Sequence, residues 1–273
     1  PLSAVIWNNP LRITATDFAA LLASEGLVAR PIPWLSHPQL GQGFALPPGI
    51  KPGSHWWYCA GLAHAQEAVS QLPVRLLDAR PEHRVLDLCA APGGKTAQLA
   101  LAMGNRGTLL ANDFSPERIA ALQGNLDRLG IINCSTTWCD GGNYPAAAGL
   151  FDRILVDAPC SSEGTLRRNA SLAERLAADP ERNRSRRMIP RQRSILRKAI
   201  QRCRPGGRIL YSTCTFAPEE NELILDEALK RENGRLRLLP IELPGLITRA
   251  GLTQWQDQRL DPSLAQARRL RPQ

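Results

Sequence analysis

The sequence predicts an α/β chain: a doubly wound, mostly parallel sheet with a small α+β appendage at its N-terminus. From Arg84 onward, short apolar runs of strand length alternate with stretches of helical period, the pattern of a parallel sheet covered by helices. Five successive strand-like runs lead to Cys89, Asp113, Asp140, Asp157 and Cys214, which gathers acids and thiols at the strand ends where such sheets bind ligands. The first stretch of the chain differs, being rich in proline and carrying Trp7, Phe18, Trp34, Phe44, Trp56 and Trp57. The boundary is placed so that 1–75 is the appendage and 76–273 the main domain.

Taken in order, Val5 to Trp7 reads as a strand, and Thr14 or Thr16 caps a helix through Leu22. Pro31-Ile32-Pro33-Trp34 and Pro47-Pro48-Gly49 read as loops. The aromatics read as core rather than as a base-stacking surface. A helix is predicted from about His64 to Leu77. Val85, Leu86 and Leu88 form a buried strand, Pro92, Gly93 and Gly94 break it, and a helix follows from Thr96. Thr108 to Ala111 is the next strand. Ser115, Pro116 and Glu117 start a helix to Leu129, as cap, first-turn proline and first-turn acid. Strands follow at Cys134 to Trp138, Phe151 to Val156 and Gly207 to Ser212. Helices are read at Pro190 to Cys203 and Pro218 to Lys230, and a sixth strand at Leu236 to Leu239.

At 273 residues the chain can hold one large domain, or an α/β domain with a satellite. It begins at Pro1 and stops at Arg271-Pro272-Gln273, and so reads as a piece of something longer. No run approaches the roughly 18 apolar residues of a membrane span, and no basic-then-apolar leader opens it. Seven cysteines without any Cys-x-x-Cys pair argue against a disulfide framework or a zinc ribbon. The expectation is a soluble, cytoplasmic monomer with reduced thiols and no metal. Thirty-four basic residues against 25 acids give a net charge of +9. Between Arg167 and Arg208 there are fourteen basic residues and three acids, Glu174, Asp179 and Glu181. A long, one-signed, arginine-rich block fits phosphate contacts better than an ordinary solvated face, and points to nucleic acid.

The glycine turn after the first main strand suits a nucleotide-like ligand, because backbone N–H groups and the positive end of a helix face one spot. The Gly-x-Gly-x-x-Gly fingerprint of dinucleotide sites is absent. A P-loop nearly matches at Gly94-Lys95-Thr96, but its first glycine falls on Cys89, and Pro92 removes an N–H from the phosphate cradle. An S-adenosylmethionine site fits better: a tight turn for the methionine end, Asp113 about 20 residues beyond it for the ribose hydroxyls, and Asp140 for the base.

Asp157-Ala158-Pro159-Cys160 and Tyr211-Ser212-Thr213-Cys214-Thr215 follow neighbouring strands, so both thiols belong to the same rim. Carbon 5 of cytosine is too weak a nucleophile to take a methyl group directly. A thiolate added at carbon 6 makes it an enamine carbon, with the ring nitrogen protonated by a carboxyl such as Asp157. One cysteine suffices to attack; the second offers a base or help in release. Spacing alone leaves open which thiol does which.

Leu88-Cys89-Ala90-Ala91-Pro92-Gly93-Gly94-Lys95-Thr96, Asp157 through Thr165, and Tyr211 through Glu222 closely resemble the Sun/Nop2/RsmF-type RNA cytosine-5 methyltransferases. The likeness runs from about Asn9 through Gln66-Glu67-Ala68-Val69-Ser70 nearly to the C-terminus. It implies a class I, Rossmann-like methyltransferase fold and an RNA substrate, ribosomal before transfer RNA. It also implies Cys214 as nucleophile, Cys160 in product release and Asp157 beside the base. S-adenosylmethionine contacts are implied at Cys89, Ala90, Ala91, Pro92, Gly93, Gly94, Lys95, Asp113, Arg118, Asp140 and Asp157. DNA cytosine methyltransferases attack instead with the Pro-Cys thiol, here Cys160. A silent RNA-binding protein on the same fold is the alternative of another class. Ser162 stands where the family usually has glycine, a change expected to trim loop flexibility. The family's Gly-Phe-Phe edge strand and a PUA-type RNA-binding domain are not found in the sequence, so the sheet is expected to lack its last antiparallel strand.

Overall fold

A computed structural model describes residues 3–167, 170–179 and 183–270. Arg168, Glu181 and Arg182 of the basic block, and the terminal Arg271-Pro272-Gln273, lie outside the described residues. The chain forms two compact units, 1–140 with 146–155 and 202–210, and 141–145 with 156–201 and 211–273.

The first unit opens with a four-stranded sheet. Its elements are β1 (Val5–Asn8), α1 (Ala15–Ser24), β2 (Arg30–His37), β3 (Gly41–Ala45), the single turn α2 (Trp56–Cys59) and β4 (Ala63–Ala65), with strand order β2-β3-β1-β4. The pairs β1–β3, β1–β4 and β2–β3 are antiparallel. Thr14 caps α1, its hydroxyl accepting from the Asp17 N–H at 3.1 Å. Strand alternation sends Ile6 and Trp7 to opposite faces. Ile6 packs with Phe18, Phe44 and Trp57, whereas Trp7 joins the larger core with Val74, Val85 and Leu99. Four of the six aromatics are therefore core as expected, while Trp34 is half-buried and Trp56 is 55% exposed.

Two expectations fail in this region. Pro31-Ile32-Pro33-Trp34 is not a loop but part of β2, an edge strand, where a proline forfeits no ladder bond on its solvent side. His64 does not start a helix: it lies in β4, and after a 3-10 turn at Val69–Gln71 only α3 (Leu72–Leu77) is helical. The pairing of His64 with Trp7 across the sheet overrides local helical propensity.

The main sheet follows: β5 (Arg84–Asp87), α4 (Gly94–Ala102), β6 (Thr108–Asp113), α5 (Pro116–Leu129), β7 (Cys134–Trp138) and β8 (Phe151–Asp157). With β9 (Cys203–Ser212), reached after the helices α6 (Ala170–Ala177) and α7 (Asn183–Arg202), the order is β7-β6-β5-β8-β9. The pairings β5–β6, β5–β8 and β6–β7 are parallel. Ser115 caps α5 and Pro116 sits in its first turn, as read from the sequence. Val85, Leu86, Leu109, Ala111, Ile154 and Leu155 are fully buried, so helices cover both faces of the sheet, as expected of a doubly wound fold. The described residues add no further strand to this sheet.

The second unit contains the last two residues of β8 and of β9, all of α6, α7 but for Arg202, and α8 (Glu222–Glu232). Helix α7 begins at Asn183 rather than at Pro190, which lies inside it. Gln192, Ile195, Leu196 and Ala199 form its buried stripe at helical spacing, with Arg186, Arg187, Arg193 and Arg197 exposed. The helix predicted from Pro218 is a 3-10 turn, Pro218–Glu220, broken at Asn221 before α8. Leu236 to Leu239 is not a strand; Leu236 and Leu238 pack on Leu229, Leu260 and Leu264. The basic block is not one face. Its helix ends at Arg202 and a strand starts at once, so Arg202, Arg204 and Arg208 belong to the first unit. Among the described residues, no helix is long and apolar enough to cross a membrane, and no group of three or more His, Cys, Asp or Glu could hold a metal.

Candidate active site

The turn after β5 is held from several sides. Ala90 N–H donates to Asn112 O at 2.8 Å, and Gly93 N–H closes the turn on Ala90 O at 2.9 Å. The Ala91–Pro92 bond is cis. Buried Thr96 donates its hydroxyl to Asp87 Oδ2 at 2.8 Å, tying the first turn of α4 to the end of β5. Gly93 has φ +106°, a conformation that demands glycine, and a Cβ there would stand 2.8 Å from Leu122 Cδ1 and push that side chain aside. At Gly94 a Cβ would approach His64 Nε2 to 3.1 Å.

Asp113, the last residue of β6, is only 2% exposed. Its Oδ2 accepts the Ala91 N–H at 3.1 Å, and its Oδ1 accepts from Ser115 N–H at 3.2 Å and Arg118 Nη1 at 3.1 Å. Arg118 also donates to Ala91 O. Asp113 and Arg118 are thus a clamp on the turn, and three of the carboxylate's roughly four acceptor positions are taken by protein. Cys89, Lys95 and Asp140 are half-buried, Cys89 and Lys95 in the turn and the first turn of α4, Asp140 just beyond β7. Asn112, fully buried within β6, bonds to Leu88 O, Cys139 O and Cys139 N–H and so joins the segments that follow β5 and β7.

Behind the turn, His64 is buried between Trp7 and Tyr58, with its Nδ1 2.8 Å from Arg128 Nη2. Burial, then the Arg128 charge, push its pKa down to about 4, so the ring is neutral and accepts from the guanidinium. An unfolded histidine titrates near 6.5, and between the two values the unfolded chain binds the proton and the folded chain does not. Stability should therefore fall as pH drops from 7 to 5, by about 2 kcal/mol from this group. His64→Gln, which keeps an acceptor without a titrating ring, should flatten the dependence of chemical-denaturation midpoints on pH over that range.

In the second unit, Cys160 and Cys214 stand 3.2 Å apart, sulfur to sulfur, as free thiols. Cys160 is 7% exposed and Cys214 is exposed. The hydrogen bond with Cys214, then burial, raise the Cys160 pKa, so this thiol holds its proton; either sulfur can donate in the contact between them. Asp157 Oδ1 accepts from Ser212 Oγ at 2.7 Å. The segments that carry the thiols are stitched together: Gly164 N–H donates to Cys214 O at 2.8 Å, and the Ser161 and Thr215 hydroxyls meet at 2.8 Å. Glu220, fully buried, accepts on Oε2 from Ser161 N–H at 3.0 Å and from Gln192 Nε2 at 2.8 Å. A Cβ at Gly164 would meet Cys214 O at 2.8 Å, which fixes glycine there.

A family model described as 16S rRNA methyltransferase RsmB/F matches residues 74–267. The chain belongs to the RsmB/F family. Ribosomal RNA small subunit methyltransferase F of Salmonella paratyphi C (strain RKS4594) is 42% identical over 231 residues, 82% of this chain and 46% of that protein. The namesake of Salmonella newport (strain SL254) has the same identity and coverage. The chain thus spans about half the length of the curated relatives it matches. A methyltransferase homolog from Pyrococcus horikoshii superposes with a TM-score of 0.80 at 32% identity, over 99% of this chain and 81% of that one. NSun6 from the same organism, solved with SFG, has the same fold at 20% identity, with a TM-score of 0.77.

Sequence reasoning about this RsmB/F chain named the residues at the strand ends but missed those that hold them. Glu220 and Asn221 lie inside the motif that carried the resemblance, yet nothing in the linear sequence separates them from the neighbouring Glu219 and Glu222. Gln192 had no signal except its place in the apolar stripe of α7. Ser162 proves more than a matter of loop flexibility. Its φ of +67° is left-handed, a region where glycine is at ease and other residues are strained. Ser162→Gly should stabilise the protein by about 0.5–1 kcal/mol, read as a rise of about 1–4 °C in melting temperature.

Proposed function

We propose that this chain methylates carbon 5 of a cytosine in RNA, small-subunit ribosomal RNA before transfer RNA, with S-adenosylmethionine as the methyl donor. The observation that carries the reading is the unequal thiol pair. One sulfur is exposed; the other, 3.2 Å away, is buried and has its pKa raised by that contact and by burial. That asymmetry supports Cys214 as the nucleophile and speaks against the DNA-type assignment, in which Cys160 would attack. It equally disfavours a silent RNA-binding protein, which has no use for an exposed thiol set against a buried one.

The turn from Cys89 to Lys95, clamped by Asp113 and Arg118, fits the cofactor, because the first turn of α4 presents N–H groups without intrahelical partners there. Asp140 is proposed to contact the adenine end. Bound S-adenosylmethionine supplies an electrophilic methyl group on a sulfonium. The chain's own residues prepare the base. Cys214 Sγ bonds to carbon 6, the electron pair of the 5,6 double bond moves into the ring, and the proton of the Asp157 carboxyl goes to N3. Carbon 5 is then the nucleophile. After it has been methylated, a base takes its proton, the 5,6 double bond re-forms, the pair of the sulfur–carbon bond returns to Cys214, and N3 gives its proton back to Asp157. The Cys160 S–H meets the departing sulfide as hydrogen-bond donor and favours its release. Such chemistry requires the base to leave its stack, which is easiest in loops and distorted helices. Residues 1–75 are proposed as an RNA-binding subdomain.

The test is a transfer assay with methyl-labelled S-adenosylmethionine on unmethylated small-subunit rRNA and on tRNA, followed by nucleoside analysis. Label in 5-methylcytidine supports the reading; label in another nucleoside, or binding of ATP in place of S-adenosylmethionine by calorimetry, rejects it.

A further inference from the structure

The amino-terminal ends of the main strands carry a feature the reaction does not use. Five arginines, Arg80, Arg84, Arg153, Arg204 and Arg208, surround two carboxylates there, all within the first unit. Asp78 is shared by Arg80 at 3.1 Å, Arg208 at 3.5 Å and Arg153 at 3.6 Å. Asp152 takes Arg204 Nη1 and the Arg84 backbone N–H, both at 2.8 Å. The Arg84 guanidinium is turned inward onto Leu150 O, Ala148 O and the Phe151 ring. Arg153 is likewise tied down, to Asp78 O and Asp152 O, with only 11% of its side chain exposed.

The other three point outward, with side-chain exposures of 58% for Arg80, 45% for Arg204 and 44% for Arg208. Even with Glu82, whose charge acts on Arg80, three carboxylates cannot neutralise five guanidiniums; Asp78 and Asp152 act as struts that hold the outer three extended at small further entropic cost. The ridge runs across strands about 4.8 Å apart and is open rather than enclosed, which suits a repeating polyanion better than a single small anion. It also lies at the opposite ends of the strands from the turn at Cys89 to Lys95. A strand of β5's length separates the two edges by about 13 Å.

Given the RNA reading above, on which this step rests, we propose that the ridge of Arg80, Arg204 and Arg208 is a second RNA-contact surface, gripping the phosphate backbone of duplex RNA that extends beyond the reacting base. It makes affinity depend on RNA size and leaves the chemistry at the opposite edge alone.

The test is binding of a fluorescent hairpin RNA with a stem of about two helical turns, titrated across ionic strengths. The triple variant R80Q/R204Q/R208Q should bind about tenfold or more weakly near 0.15 M salt, and the slope of log K against log salt should fall by about 2–3. The charge-preserving R80K/R204K/R208K should retain most of both. Affinity for S-adenosylmethionine by calorimetry should be unchanged in either variant. Should the triple variant fold poorly, R80Q alone, on an exposed loop side chain, should lower the slope by about 1. Wild-type affinity and slope in the glutamine variants, or equal loss in the lysine variant, would overturn the inference while leaving the RNA reading intact. A wild-type chain that binds no RNA at any salt overturns both.

Discussion

With Cys214 replaced by alanine, methyl transfer to RNA should drop by about 10⁴-fold or more, the loss expected when a covalent nucleophile is removed and only positioning remains. The argument rests on the state of the thiol pair. Burial and the contact with Cys214 keep Cys160 in its thiol form, while the exposed sulfur of Cys214 is open to a base presented from solvent. No covalent complex with RNA should survive denaturation, while affinity for S-adenosylmethionine, held by a turn in the other compact unit, should stay within about threefold of wild type. Cys214→Ser should be nearly as inactive, because a hydroxyl loses its proton far less readily than a thiol. If Cys214→Ala keeps more than a few per cent of wild-type turnover, the proposed nucleophile is wrong.

The Cys160→Ser variant should behave in the opposite manner. Cys214 can still attack, so an RNA–protein adduct should form, but its breakdown should be slow enough for a shifted band to persist on denaturing gels. The buried S–H at 3.2 Å is the group placed to meet the departing sulfide, and a hydroxyl, smaller and on a shorter bond, does not reproduce that contact. Multiple turnover should fall by about 10²-fold or more, the scale of a lost proton-transfer or hydrogen-bonding partner, with a single-turnover burst retained. Abolished adduct formation in Cys160→Ser, with adduct retained in Cys214→Ser, would reverse the two roles.

Much of this was legible in one dimension because it is written in local chemistry. A Ser-Pro-Glu start makes α5, and Gly93-Gly94 must break the chain since only glycine tolerates the conformation at Gly93. The strand ends at Asp113 and Asp157 fall where the apolar runs stop. The errors share a physical cause. Pro31 to Trp34 and His64 look like loop and helix on their own, and become strands because an edge position forgives prolines and because Trp7 pairs with His64. The basic block looks continuous in the sequence but is cut where α7 passes directly into β9.

The α/β alternation, the glycine turn, the family and the identity of the two thiols were readable from residue types alone, since each depends on residues within a few positions of one another. Long-range packing settled which thiol is buried, that Asp113 and Arg118 clamp the turn, that Glu220 and Gln192 brace Ser161 beside Cys160, and that four arginine side chains share two carboxylates at the amino-terminal edge. These are properties of groups tens of residues apart. Burial, shared protons and crowded charge arise only when folding removes the water between them.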